Sequence, residues 1–423
     1  MLIEFTVTNF RSIKTKQTFS LVKGRGNELE QNNAFQPPGA GNPALLRSAA
    51  IYGPNAAGKS NFIEALHTME RMVVKSATTV QRGDKLPITP FRLDVEAEQA
   101  PSEFEVVFIA GGVRFQYGFA ATRTQVMEEW LLAFPKGRPQ RWFGRAWNEE
   151  RKAYDWEMGQ ALSGRKQLWQ ESTRPNALFL STAVQLNSEQ LQPLYDWFED
   201  TLRTVRQGRW RPRFTALMCE DTDSRARVLD FLKAADMTID DVRVTKEKFD
   251  VRGLPDDIPE PFKQELAKEL ENEEMLEIKM LHQTMGGRTV AFGFNEESEG
   301  TRKLFAFAGP WLDSLKNGYV LFVDELHDNL HPKLIRFLVE LFHSPETNPN
   351  NAQLVFTTHE TSILSQEVFR RDQVWFCEKD EGQATELIPL TDFSPRKGRE
   401  DLEMSYLAGR YGALPSIRKL KTA

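Results

Sequence analysis

Cysteine is nearly absent from this sequence of 423 residues: only Cys219 and Cys377 occur. Two cysteines alone suggest no disulfide framework, and they suit a reducing compartment. No stretch approaches the roughly 20 apolar residues that a membrane span needs. The opening residues, Met1-Leu2-Ile3-Glu4-Phe5, carry no basic region followed by an apolar run, so no secretory leader is expected and the expected location is cytoplasmic. A surplus of positive charge is lacking too. With 54 Lys+Arg against 60 Asp+Glu the formal net charge is −6, so any contact with nucleic acid must come from a local basic patch. What remains is ample for a large buried core: 40% of the residues are hydrophobic, 29 of them Phe.

Periodicity divides the chain. Ile3, Phe5 and Val7 alternate as in a strand with one buried face, whereas residues 23–44 are rich in Gly, Asn and Pro and read as a loop. A strand ending at Ile51-Tyr52 runs into Gly53, and the helix after it aligns Phe62, Leu66, Met69 and Val73. Phe104/Val106/Phe108 and Phe115/Tyr117/Phe119 alternate on either side of Gly111-Gly112, which predicts a hairpin. From about 186 to 285 the segments SRARVLDFLKAADM and PFKQELAKELENEEMLEIKML look helical, and this region is expected to be a helical insertion. An α/β alternation then resumes. A helix carries Leu304, Ala308, Trp311 and Leu315, and the strand YVLFVDE follows. A helix with Leu334, Phe337, Leu338 and Leu341 leads into the strand QLVFTTHE. Short apolar runs separated by helices predict a buried, largely parallel sheet.

Gly53-Pro54-Asn55-Ala56-Ala57-Gly58-Lys59-Ser60, followed by Asn61, fits GxxxxGK[ST] at each fixed position, between a strand and a helix. The glycines let successive N–H groups face phosphates, Lys59 supplies a mobile charge, and the Ser60 hydroxyl is a Mg²⁺ ligand. The apolar strand before Asp324-Glu325 ends in two acids. Asp324 suits the Mg²⁺ coordination shell, and Glu325 suits polarisation of an attacking water. Ser298-Glu299-Gly300-Thr301 opens a helix about twenty residues earlier. By itself this is a helix cap; a hydroxyl and a close backbone approach at a helix N-terminus also make an anion site.

In that order the three motifs resemble the ABC/SMC-type ATPases, in which Ser298-Glu299-Gly300 would be the signature that caps the γ-phosphate held by the opposite subunit. Asp328-Asn329-Leu330-His331-Pro332 occupies the D-loop position, and its Leu-His-Pro ending is similar to the RecF and OLD group. Thr357-Thr358-His359 looks like the switch histidine. Asn9-Phe10-Arg11-Ser12 resembles the strand exit whose basic residue, Arg11, reaches the nucleotide. The expected Q-loop glutamine has no assigned place; Gln116 is one candidate, or simply an outward strand position. LLRSAAIYGPNAAGKS and Tyr406-Leu407-Ala408-Gly409-Arg410-Tyr411-Gly412 look most like the RloA-type ATPases, which implies phage defence.

Other constellations carry less. His327 and His331, four apart, would suit a metal on a helix, but Pro332 follows at once and the stretch reads as a loop. Asp221-Thr222-Asp223 precedes a helix and reads as its N-cap, so no nuclease centre is expected. Two basic clusters interleave an aromatic. Arg206, Arg209, Arg211 and Arg213 surround Trp210, and Lys136, Arg138, Arg141 and Arg145 surround Trp142. Each suits phosphate contact with base stacking, or a charged face.

The expectation is therefore an α/β, ABC-ATPase-like P-loop head: residues 1–185 with an antiparallel β lobe, a helical insertion at 186–285, and 286–423 with signature, Asp-Glu strand and switch histidine. The resemblance implies ATP and Mg²⁺ as ligands, a homodimer closing around ATP, and a separately encoded effector, a toxin or nuclease. A non-hydrolysing ATP-locked scaffold and a RecF-like DNA-repair clamp stay open as alternatives.

Overall fold

The computed structural model describes residues 1–39, 41–206, 211–248, 259 and 274–415. The chain divides into two units, Met1–Gly208 with Ser314–Ala423, and Arg209–Asp313.

The first unit holds two sheets. Seven strands pair antiparallel in the order Ala153–Met158, Gln140–Asn148, Val126–Phe134, Val113–Ala121, Ser102–Ala110, Leu2–Thr8 and Gln17–Ser20. The predicted alternation is realised: Phe104, Val106, Phe108, Tyr117 and Phe119 are fully buried, and Ala110 pairs with Val113 across the expected turn. A second sheet runs Leu202–Val205, Val320–Val323, Gln353–Thr358, Ser48–Tyr52, Val374–Lys379 and Thr385–Pro389. All of its pairs are parallel except the last. Its central strands are buried on both faces, which is why they read as unbroken apolar runs.

The helix Lys59–Lys75 joins the sheets. Phe62, Leu66, Met69 and Val73 are buried as the periodicity requires, each side chain worth about 1.5–3 kcal/mol of burial. The Phe62 ring centre lies 5.4 Å from Phe5 and 5.6 Å from Phe19. Phe19 in turn meets Trp375 at 5.1 Å. Gln353 adds a polar seam, since its Oε1 accepts from Leu2 N at 2.6 Å and its Nε2 donates to Leu2 O at 3.0 Å. Of the expected stripe on helix Pro332–His343 only Leu338 is fully buried; Ile335, Val339 and Phe342 join it, while Leu334, Phe337 and Leu341 are half-buried. Both stripes are apolar, so periodicity alone does not choose between them.

Glu129 and Arg145 form a wholly buried ion pair, Nη2 to Oε2 2.9 Å. Glu129 also accepts from Tyr117 Oη at 3.0 Å and from the backbone N–H groups of Phe179 and Leu180 at 2.7 and 3.0 Å, the first turn of helix Phe179–Gln185. The Arg145 guanidinium lies over Tyr154 and donates to Ala177 O. The basic cluster around Trp142 is thus divided: Arg145 and Trp142 belong to the core, whereas Lys136, Arg138 and Arg141 are exposed, Arg141 paired with Glu157 at 2.6 Å.

The second unit is not the helical insertion expected at 186–285. Three strands, Asp241–Lys248, Glu274–Gln283 and Thr289–Gly293, form an antiparallel sheet accompanied by helices Arg213–Met218 and Thr222–Ala234. Ile278 and Met280 are buried while Glu277 and Lys279 are not, a period of two that the charged stretch before it masked. Of the charged segment read as helical, residues 261–273 lie outside the described residues. Residues 186–206 belong instead to the first unit, whose parallel sheet takes Leu202–Val205. Asp221 caps Thr222–Ala234, accepting from Ser224 N at 2.9 Å, as an N-cap should. The helix Glu299–Asn317 begins in this unit, so Ser298 and Gly300 lie with these strands.

Candidate functional site

The parallel sheet sets the order of the site. The strand Ser48–Tyr52 lies between Gln353–Thr358 and Val374–Lys379, and Val320–Val323 is one strand further out. Thr358 pairs with Tyr52 and Val323 with Phe356. The chain therefore leaves three neighbouring strands at one edge of the sheet, as Gly53, Asp324 and His359. Ligands of open parallel sheets bind outside these carboxyl ends.

Gly53–Gly58 turns back on itself with Ala56 at φ 63° and Gly58 at φ 111°, and the helix starts at Lys59. A Cβ at Gly58 would come within 2.0 Å of Thr385 Oγ1, so no larger residue fits this cradle. A relay holds the loop from outside. Asn61 Nδ2 donates to Ser12 Oγ at 2.7 Å, the hydroxyls of Ser12 and Thr385 are 2.7 Å apart, and Thr385 Oγ1 donates to Ala57 O at 2.8 Å. Thr385 carries no motif and escaped the sequence reading; its contact with residue 12 spans 373 positions.

Lys59 is 6% exposed and donates to the carbonyls of Gly53 at 2.7 Å and Pro54 at 3.0 Å. Burial lowers its pKa, against the opposing pull of Cys377, Glu325 and Asp324. Ser60 is exposed at the start of the helix. Asp324 is buried, and its Oδ1 accepts from Thr357 Oγ1 at 2.7 Å. Glu325 has φ 53°, and its N–H donates to Thr357 Oγ1 at 2.8 Å. His359 is exposed just past its strand, its ring centre 3.6 Å from that of His327. Gly53–Ala57 and His359 line one cleft of about 750 Å³.

Arg11, at φ 52°, lies beside the helix start, 3.5 Å from Asn61 Oδ1 and 3.3 Å from Glu64 Oε1. Glu64 also pairs with Arg206 at 2.7 Å. The arginine cluster is thereby divided. Arg206 belongs to the first unit and to Glu64, Arg211 and Arg213 belong to the second, and Arg209 lies outside the described residues. Ser298 caps its helix, Oγ accepting from Thr301 N at 3.1 Å, in a different unit from the P-loop. Gln116 sits within a strand and donates to Glu105 Oε2 at 2.9 Å, far in character from a mobile loop. The His327/His331 pair holds no metal geometry. His331 Nδ1 accepts from Lys333 N as a helix cap, while His327 packs on His359.

A family model described as "AAA domain, putative AbiEii toxin, Type IV TA system" matches residues 48–365, from the P-loop strand to just past His359. The chain belongs to this AAA-domain family. Its AAA domain is α/β, with the P-loop strand and the Asp-Glu strand in the same sheet. No curated protein matches the chain. Among solved structures, one similar chain is the SmcHead bound to the C-winged helix domain of ScpA, 13% identical, covering 92% of this chain and 96% of that one with a TM-score of 0.47. Another is the SMC head domain from Thermotoga maritima, 13% identical over 92% and 98% of the two chains, TM-score 0.40. A third is the Smc head domain with an extended coiled coil bound to the C-terminal domain of ScpA derived from Pyrococcus furiosus, 12% identical over 92% and 95%, TM-score 0.41. Among the described residues of the AAA-family chain, no helix is long and apolar enough to cross a membrane.

Proposed function

We propose that this chain binds and hydrolyses ATP, closes as a homodimer around it, and serves as the sensor or regulator subunit of an anti-phage abortive-infection system, acting on a separate toxin or nuclease. The observation that carries the ATPase reading is the convergence of Lys59, Asp324 and Glu325, with His359, at neighbouring strand exits. Lys59 and the N–H groups of the loop would hold the β and γ phosphates. Ser60 and Asp324 offer the hard oxygen donors that suit Mg²⁺, which when bound neutralises phosphate charge. Glu325, its backbone fixed by Thr357, is the base that orients and polarises water, and His359 is the switch that faces the γ-phosphate. Gly53, Pro54, Asn55, Ala56, Ala57, Gly58, Asn61 and Arg11 complete the nucleotide contacts of one copy.

Dimerisation is the reading that gives Ser298 and Gly300 a role: each ATP would be closed by those residues of a second copy. Two buried thiols that form no disulfide agree with the cytoplasm. The family description supports the link to a toxin. Of the arginine cluster, Arg211 and Arg213 are the described members that lie in the second unit, and with Arg206 they would meet nucleic acid.

Mass measurement with and without ATP tests closure, and mixing tests the shared sites. Lys59→Ala and Ser298→Arg, each inactive alone, should together regain part of the turnover, because the mixed dimer keeps one intact site. An unchanged mass with ATP and no regain at any ratio would remove the shared site from the account.

A further inference from the structure

The segment Asp401–Pro415 carries the Tyr406–Gly412 motif, to which the ATPase reading assigns nothing. It folds as a helix, Leu402–Leu407, and a tight turn closed on itself by Tyr406 Oη donating to Ala413 O at 2.8 Å. This turn reaches all three places that shape the phosphate end of the sheet. Tyr406 lies 6.0 Å from Tyr52, the residue before Gly53. Tyr406 and Tyr411 both stack on Phe376, at 5.2 and 5.3 Å. Thr361, two residues past His359, donates to Glu403 at 2.7 Å. Tyr406, Ala413 and Leu414 line the same cleft as Gly53 and His359.

Glu378 sits where these contacts meet. Its neighbour Cys377 backs the P-loop so closely that a Cβ at Gly53 would lie 2.2 Å from the Cys377 carbonyl oxygen. Glu378 lines the cleft with Gly53–Ala57, and its Oε2 accepts from Ala413 N at 2.7 Å. Gly412 has φ 63°, and a Cβ there would stand 2.6 Å from the same carboxylate oxygen. A larger residue at 412 would be strained in this left-handed conformation and would push the Glu378 carboxylate aside. One strand end thus supports the P-loop with its backbone and the turn with its side chain.

We infer that Glu378 is a positioning residue for the nucleotide site: it seats the Asp401–Pro415 turn against the strand exits of Gly53 and His359, so that this turn forms a wall of the phosphate cleft. The inference rests on the ATPase reading above. Glu378→Ala removes the acceptor, and Gly412→Ala displaces it from the other side. Glu378→Gln keeps an oxygen that accepts from Ala413 N.

The full-length chain should be assayed for the KM for ATP, kcat, the Kd for ATP by calorimetry, and thermal melting. Glu378→Ala and Gly412→Ala should each raise Kd and KM about tenfold, which is about 1.4 kcal/mol of affinity lost with the seated wall. kcat should change less, melting should stay within a few degrees of wild type, and Glu378→Gln should return close to wild type. A folded Glu378→Ala or Gly412→Ala protein with Kd and KM within twofold of wild type would overturn the inference. So would a loss that simply follows a lowered melting temperature in both variants. If wild type binds ATP and Lys59→Ala does not, failure in these variants sinks only the positioning role. If wild type itself binds no ATP, both readings fall.

Discussion

Thr357 Oγ1 lies 2.7 Å from Asp324 Oδ1 and donates to it, so a threonine on one strand fixes a carboxylate on the next. The same oxygen accepts the N–H of Glu325 at 2.8 Å, which makes Thr357 the pivot of the Asp-Glu pair. Thr357→Val keeps the shape but strands a buried carboxylate oxygen and an N–H, at a cost of about 1–3 kcal/mol. Thermal melting should register that loss, and ATP turnover should fall further than stability does because Glu325 loses its orientation. Thr357→Ser should keep both. A valine variant with normal turnover would separate Thr357 from the site.

Acid should destabilise the protein through His343. This residue is buried behind the P-loop strand, its Nε2 2.7 Å from Ser48 Oγ. Burial, with Arg47 beside it, lowers its pKa to about 3 from 6.5. The unfolded chain takes up a proton below pH 6.5 while the folded chain refuses it. The stability is therefore whole above pH 6.5 and is lost as pH falls towards 3, by up to about 1.4 kcal/mol per pH unit. Urea midpoints at pH 7, 6 and 5 should fall more steeply for wild type than for His343→Gln. Parallel slopes would mean that His343 titrates normally in the fold.

The Glu129–Arg145 pair makes the antiparallel sheet sensitive to single substitutions. Glu129→Leu leaves a guanidinium buried without its carboxylate, at about 3–5 kcal/mol, whereas Glu129→Leu with Arg145→Met removes both charges and should cost less. Denaturant unfolding of the single and double variants measures the difference. A single variant costing under about 1 kcal/mol would contradict the buried pairing.

The sequence announces those parts of the site that are contiguous. Gly53–Asn61 and Asp324-Glu325 need fixed residue types at fixed spacing, and apolar runs around them predict the strands that bring them together. Ser12, Glu64, Thr357, Glu378 and Thr385 were not legible as partners, because each acts through a contact between distant segments and no local pattern records it. Arg145 shows the converse: next to Trp142 in sequence it reads as a surface charge, while the fold pairs it with Glu129 in the core. The second unit misled for a different reason. The Glu- and Lys-rich residues 263–273 suggest helix and hide the alternation of Ile278 and Met280, so a sheet reads as a helical insertion.

The central claim is that Lys59 holds phosphate and Glu325 acts on water in one site. Its most direct measurement is steady-state ATP hydrolysis with Mg²⁺, alongside ATP binding, for wild type, Lys59→Ala and Glu325→Gln. Lys59→Ala should lose binding and turnover together. Glu325→Gln should bind ATP as wild type does yet hydrolyse it roughly 10²–10⁴ times more slowly, the share of a positioned base. A Glu325→Gln protein that turns over ATP at the wild-type rate, or a wild type that binds ATP without hydrolysing it, would contradict the account.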